Sequence, residues 1–121
     1  MNMNHLEFGE QGEQLAADYL QKQGYQLLAR RFRTKIGEID IIAQKGGTIV
    51  FVEVKTRSSF FYGTPAQAVN RRKQSKIINV ALNYLNYIKS HNTPIRFDIL
   101  EVTNSGHGMA VSNHIANAFG R

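Results

Sequence analysis

Two strand-like stretches joined by a glycine-rich turn constrain the fold of this chain more than any other feature. Residues 36–43 (IGEIDIIA) and 48–56 (TIVFVEVKT) are rich in Ile and Val, which favour β-strands. Between them, Lys45-Gly46-Gly47 supplies glycines for the positive φ angles of a tight hairpin turn. The sequence therefore predicts an antiparallel hairpin in which successive side chains of each strand face opposite sides of the sheet.

The segments around this hairpin predict an α/β fold. Apolar residues recur at helical spacing, or cluster as in strands, in five further segments: helices at 6–23 and 65–89, and strands at 25–33, 95–103 and 109–112, the last followed by a frayed tail. The resulting order is α-β-β-β-α-β-β. A helix between the third and fourth strands permits a parallel crossover, so we expect a mixed central sheet flanked by helices. The length of 121 residues predicts one domain spanning residues 1–121.

The composition narrows the class of protein. Hydrophobic residues make up 42% of the chain, as in an ordinary globular domain. The absence of cysteine excludes disulfides and thiolate zinc sites. No apolar run approaches the ~18 residues of a membrane span, and the first residues, MNMNHLEFGEQ, do not resemble a secretory signal. We therefore expect a cytoplasmic protein with no membrane partner.

The charge distribution suggests a polyanionic partner. The chain has 15 Lys and Arg against 9 Asp and Glu, a formal net charge of +6. Such an excess favours nucleic-acid binding, although a merely basic protein has the same composition. The basic residues lie on both sides of the hairpin and at the start of the second helix: Arg30, Arg31, Arg33, Lys35, Arg57, Arg71, Arg72, Lys73 and Lys76. We interpret them as contacts to a phosphate backbone; the alternative is that each cluster is a solvated face.

Charged residues interrupt the apolar third strand. Glu53 and Lys55 are two residues apart, so they project from one face at roughly 6–7 Å from each other. Asp40 lies in the neighbouring strand of the hairpin, and Glu13 lies on the helix that packs over the sheet. A plain salt bridge between Glu53 and Lys55 is the alternative interpretation of the pair alone. The four residues together instead predict a site for chemistry.

Hydrolysis of a phosphodiester explains why these residue types would occur together. A hard cation neutralises the phosphate and activates water. Magnesium takes oxygen ligands, typically one or two carboxylates, and keeps several waters. Asp40 and Glu53 meet that need, with Glu13 as a ligand directly or through water. Lys55 is a candidate to orient the attacking water or to stabilise charge on the phosphate.

A set of residues that covers nearly the whole chain in order carries a family resemblance: Gly12-Glu13, Ala17, Tyr19-Leu20, Gly24-Tyr25, Gly37-Glu38-Ile39-Asp40, Phe51-Val52-Glu53-Val54-Lys55-Thr56-Arg57 and Arg96-Phe97-Asp98. This set resembles the PD-(D/E)-x-K nuclease superfamily, which includes restriction endonucleases and archaeal Holliday-junction resolvases. It is more closely similar to the bacterial YraN-like family (uncharacterised protein family 0102) of small proteins described as endonucleases. Ile39 stands where the motif name has Pro, a departure that removes no ligand.

The resemblance implies a restriction-endonuclease-like core and a Mg²⁺- or Mn²⁺-dependent endodeoxyribonuclease. It implies that Asp40 and Glu53 hold the metal, that Lys55 contributes to catalysis and that Glu13 is the helix carboxylate of resolvase-type sites. The substrate is then DNA, with branched or junction DNA as the favoured class. A nucleic-acid-binding module that keeps the fold without useful catalysis is the second hypothesis, and an adaptor whose basic face docks an acidic protein is the third.

Three further features are candidates for accessory roles. Glu38 alternates with Asp40 along its strand, so it either shares the site face or is a solvent-exposed partner of nearby cations. Gln67 opens the second helix, where it either touches the metal water or substrate or is an ordinary first-turn residue. The aromatic run at 60–62 either stacks on bases, fills a hydrophobic crevice or forms a homodimer contact.

Overall fold

Two helices and five strands follow one another in the order that the sequence predicts. The computed structural model describes residues 5–58 and 69–120. The elements are α1 (His5–Lys22), β1 (Gln26–Arg33), β2 (Glu38–Lys45), β3 (Thr48–Ser58), α2 (Arg71–Tyr87), β4 (Ile95–Asn104) and β5 (Met109–Phe119). The predicted start of the second helix at Pro65 lies outside the described residues. No helix in these two described ranges is long and apolar enough to cross a membrane.

The five strands form one mixed sheet in the order β1-β2-β3-β4-β5. β3 and β4 run parallel from Ile49↔Ile95 to Ser58↔Asn104, and the other neighbours are antiparallel. The parallel pair requires the crossover that α2 supplies. The α/β class and the mixed sheet are therefore confirmed.

The two helices cover opposite faces of this sheet. Ala16 and Leu20 of α1 pack into a core cluster with Val50 and Val52 of β3. On the other face, buried residues of α2 pack with Phe51, which lies between those valines in the sequence. This alternation along β3 confirms the predicted period of two. Functional side chains on β3 therefore face either α1 or α2.

The fifth strand is much longer than predicted. The sequence predicts a short strand at 109–112 and then a frayed tail, but β5 continues to Phe119 and pairs there with Phe97. Register shifts between Phe97 and Ile99 and between Glu101 and Val102 break the regular ladder. Such irregularities disrupt the alternation from which a strand is recognised in a sequence.

Gly12 sets how closely α1 approaches the sheet. A Cβ atom at Gly12 would collide with the hydroxyl oxygen of Thr56 on β3. The absence of a side chain thus allows the helix backbone to cross directly over the end of β3. This close crossing places the next residue of α1, Glu13, beside the charged end of β3.

Candidate functional site

Asp40 lies where β2 and β3 stop pairing. The paired segment of the hairpin ends at Ile41↔Val52. Beyond it, Oδ2 of Asp40 accepts a hydrogen bond from the backbone N–H of Val54 at 2.8 Å. The carboxylate therefore takes the place of a strand-to-strand bond, and it is fixed in position next to Glu53 and Lys55.

The environment of Asp40 disfavours its negative charge. Burial, and next to it the negative charge of Glu53, raises the pKa of Asp40 from 3.8 to about 7. Glu13 adds a further repulsion, while the Val54 hydrogen bond and the positive charge of Lys73 act in the opposite direction. The three predicted carboxylates are thus close enough to influence one another.

Glu53 contacts two lysines. It is buried, and its Oε1 lies 3.7 Å from Nζ of Lys55 and 2.9 Å from Nζ of Lys73. The Glu53–Lys55 salt bridge of the alternative interpretation is present, but the shorter contact comes from α2. Lys73, predicted from the sequence only as a phosphate contact, therefore reaches the centre of the site.

The two lysines differ in how the site affects them. Burial, together with the contact to Lys73 and its positive charge, lowers the pKa of the Lys55 ammonium. Burial also acts to lower the pKa of Lys73, but its hydrogen bonding to Lys55 and the attraction of Glu53 outweigh burial and raise that pKa. Lys73 is consequently the more firmly charged of the pair.

Glu13 is engaged by arginines from β1. The buried carboxylate lies 3.2 Å from Nη2 of Arg30, and both of its oxygens lie 3.2 Å from Nε of Arg31. Arg31 has a φ of 53°, and the strand pairing passes from Arg30 to Phe32 without it. Glu13 is therefore in the predicted place, but it already has two cationic partners.

Two clefts meet at Asp40 and Glu38, which line both of them. The α1 cleft, of about 440 Å³, is also lined by Glu13, Arg31, Arg33 and Lys55. The α2 cleft, of about 530 Å³, is also lined by Glu53, Arg72, Lys73 and Lys76. Asp40 and Glu38 thus lie where the two clefts meet, and each cleft is bordered by basic side chains.

The remaining predicted residues have different surroundings. Arg33 forms an ion pair with Glu38 at 2.8 Å, at the edge of the α1 cleft. Arg57 forms an ion pair with the buried carboxylate of Glu101. Lys35 and Arg71 are exposed. Gln67 and the aromatic run at 60–62 lie outside the described residues, so their predicted roles stay predictions.

The sequence interpretation missed a second polar cluster on the α1 face of the sheet. Asp98 is fully buried, lies 2.7 Å from Nε2 of His114 and receives two hydrogen bonds from Arg96. The Tyr19 hydroxyl lies 3.0 Å from Nδ1 of His114, and Nη2 of Arg96 also donates to the Tyr25 hydroxyl at 2.6 Å. Burial acts to raise the pKa of Asp98, but the bonds from His114 and Arg96 outweigh it and lower that pKa.

This second cluster ties distant parts of the chain together. Its side chains come from α1, from Tyr25 just before β1, from β4 and from β5. The alternation of Arg96 and Asp98 in an apolar strand was the available signal, because it has the same form as Glu53 and Lys55. Its partners are distant in sequence, so the strand alone did not reveal the cluster.

Asp40 and Glu53 are the carboxylates that a divalent ion would meet where the α2 cleft reaches β2 and β3. Within residues 5–58 and 69–120, no three His, Asp or Glu side chains are grouped tightly enough to hold a metal. Asp40 and Glu53 nevertheless repel each other in a cleft, and two carboxylates suit Mg²⁺, which keeps several waters. The chemistry of these two residues fits such an ion. Glu13 could bind the ion only after it had released its contacts with Arg30 and Arg31.

Comparison with known proteins identifies the family. Residues 12–102 match the model of the uncharacterised protein family UPF0102. The chain belongs to the UPF0102 family. A relative from Caldicellulosiruptor saccharolyticus is 46% identical over 97% of this chain and 100% of its own. A relative from Symbiobacterium thermophilum is 48% identical over 92% of this chain and 94% of its own length. A relative from Alkaliphilus oremlandii is 50% identical over 92% of this chain and 96% of its own length. The predicted family is confirmed, and the segment that matches the family model includes Glu13, Asp40 and Glu53.

Proposed function

We propose that this UPF0102 protein is a Mg²⁺- or Mn²⁺-dependent endonuclease that hydrolyses DNA phosphodiester bonds. The observation that carries the proposal is the juxtaposition of Asp40 and Glu53. Each is held in a cleft, and their mutual repulsion contributes to the raised pKa of Asp40. Like charges withdrawn from solvent are costly unless a cation compensates them, so this pair of carboxylates supports a cation site.

Different residues of the chain would perform different tasks at such a site. A bound Mg²⁺ would neutralise phosphate charge and activate water. Asp40 is oriented for a ligand role by the Val54 N–H, and Glu53 by its lysine contacts. Lys55 lies in the α1 cleft with Asp40, where an ammonium orients water and stabilises charge on the scissile phosphate.

Basic residues on both sides of the carboxylates support DNA as the substrate. Arg31 and Arg33 border the α1 cleft, and Arg72, Lys73 and Lys76 border the α2 cleft. A DNA strand that passes from one cleft to the other at Asp40 would meet basic side chains on both sides of its scissile bond. Such contacts position a backbone without reading its bases. A preference for branched or junction DNA belongs to the same proposal and follows from the family resemblance.

Cleavage of a panel of linear, flapped and four-way DNA with Mg²⁺ or Mn²⁺ tests this function. Wild type and Glu53→Ala are purified in parallel, so that activity retained by the variant reveals a contaminating nuclease. We expect wild type alone to cut. If neither metal supports cleavage of any substrate by wild type, the nuclease proposal fails.

A DNA-binding module without catalysis is the second candidate. It is favoured by the contact of Lys73 with Glu53 at 2.9 Å and by the arginines on Glu13, which already compensate two of the three carboxylates. Retention of DNA binding together with the absence of cleavage across the panel would support it over the first candidate.

A further inference from the structure

Lys73 lies in the first turn of α2, which hydrogen bonds hold in place. Its backbone N–H donates to Oδ1 of Asn70, the residue that caps the helix, at 2.9 Å. A second bond, from Nε2 of Gln74 to the carbonyl of Val69, fixes the same turn. From this position the side chain of Lys73 crosses the α2 cleft to reach Glu53. The contact is therefore supported by a capped helix turn.

The position of the ammonium matches that of a counter-cation. Glu53 has only 6% of its surface exposed, whereas the Lys73 side chain is 43% exposed. Lys73 thus approaches the carboxylates from the solvent side of the cleft, through which a hydrated ion would enter. Its positive charge also acts on Asp40, where it opposes the rise in pKa. One ammonium therefore compensates both carboxylates of the candidate metal pair.

We propose that Lys73 is a resident counter-cation of Asp40 and Glu53 that a divalent ion has to displace. The inference rests on the proposed function, because it presumes that these two carboxylates receive a metal. An ammonium and a divalent ion cannot both occupy the side of Glu53 that faces the cleft without strong repulsion. Metal affinity is consequently lower than the carboxylates alone would provide, and displacement frees Lys73 for another anion.

Mn²⁺ titration calorimetry without DNA measures this competition directly. We expect Lys73→Gln to bind Mn²⁺ about tenfold more tightly than wild type, the change expected when one partly buried competing charge is removed. Lys76→Gln is the matched control, since it removes the same charge one turn further along α2. We expect its affinity to change less than threefold, because solvent screens the more distant charge. Lys73→Arg keeps the charge and should retain the weak wild-type binding.

Thermal unfolding supplies a readout that does not depend on affinity. Without metal, Lys73→Gln should melt below wild type, because the two carboxylates lose their counter-charge. Saturating Mn²⁺ should remove that difference. Equal melting temperatures without metal would contradict the counter-cation role.

The outcomes separate this inference from the proposed function. If Mn²⁺ binding is lost in Glu53→Gln but Lys73→Gln binds no more tightly than wild type, the metal site stands and the inference is overturned. If Mn²⁺ binding is absent from wild type and every variant, the metal site itself is refuted, and the competition with it. Tighter binding by both Lys73→Gln and Lys76→Gln would reveal a general charge effect and would also overturn the inference.

Discussion

The carboxylate of Asp40 accepts the backbone N–H of Val54 on the adjacent strand, 2.8 Å away, just beyond the last paired residues of the hairpin. This bond holds the side chain in place even though burial and Glu53 disfavour its charge. An asparagine oxygen can accept the same hydrogen bond without carrying the charge. Asp40→Asn therefore separates the electrostatic cost of the site from its geometry.

We expect this cost to appear in the pH dependence of stability without metal. The pKa of folded Asp40 is raised to about 7 from its ordinary value of 3.8, so its contribution to stability is full below pH 3.8 and is lost as the pH rises through 7. The Asp40→Asn variant does not lose this stability, because an asparagine side chain does not ionise. Denaturant unfolding should show its stability advantage over wild type growing by on the order of 2 kcal/mol between pH 5 and pH 8. An advantage that stays constant with pH would contradict the raised pKa.

Metal affinity is expected to depend on both carboxylates. Asp40→Asn and Glu53→Gln each remove one anionic ligand while keeping the size of the side chain. Mn²⁺ calorimetry should therefore show affinity at least about tenfold weaker in each variant, with the fold unchanged by circular dichroism. Asp18→Asn, a change on α1 at a residue that lines neither cleft, is the control for net charge. Wild-type affinity in both site variants would remove Asp40 and Glu53 from the metal site.

Gly12 offers a test of how the helix positions Glu13. Gly12→Ala should destabilise the fold by about 1–3 kcal/mol, because the added Cβ meets the side chain of Thr56. Gly9→Ala, on the same helix, has open space around its Cβ and should be neutral or slightly stabilising. Thr56→Ala should restore much of the stability of Gly12→Ala when the two changes are combined. Equal stability of the two single alanine variants would show that the close crossing is not required.

The strand pattern explains why much of the fold was predictable. Alternating apolar residues with a glycine turn define β2, β3 and their pairing, because each strand has one face against each helix. The sequence prediction of β5 was too short because register shifts interrupt that alternation. Local sequence patterns therefore define regular elements well and irregular ones poorly.

The candidate site was predictable to the extent that its residues lie on one hairpin. Asp40, Glu53 and Lys55 are brought together by strand pairing, which short-range sequence reveals. The contact of Lys73 with Glu53 depends on how α2 packs across the sheet, and the contact of Arg31 with Glu13 is made from a non-glycine residue with a positive φ. Neither property is encoded in a local pattern, so both emerged only from the structure.

Lys55 is expected to act on cleavage rather than on binding. Lys55→Ala should reduce the cleavage rate by about 10²- to 10³-fold, since it removes a charge next to the scissile phosphate. DNA affinity measured in Ca²⁺, which usually occupies such sites without supporting cleavage, should change little. A parallel loss of affinity and rate would instead assign Lys55 to substrate binding.

The basic border of the α2 cleft is expected to control how DNA affinity depends on salt. Arg72 and Lys76 line this cleft, and each lost phosphate contact reduces the log–log slope by about 0.9 for duplex DNA. In Ca²⁺, the double variant Arg72→Ala/Lys76→Ala should therefore flatten the slope by roughly two. Lys22→Ala, an exposed change near the end of α1, should leave it unchanged.

Lys73 should behave differently from these two neighbours. Without a divalent ion its ammonium is held by Glu53, so Lys73→Gln should hardly change the salt slope of binding. With Ca²⁺ bound, the displaced ammonium can contact a phosphate, and the same variant should flatten the slope by about 0.9. A change of equal size in both conditions would mean that Lys73 contacts phosphate whether or not metal is bound. A slope unchanged by all of these substitutions would instead make the start of α2 a solvated face rather than a DNA contact.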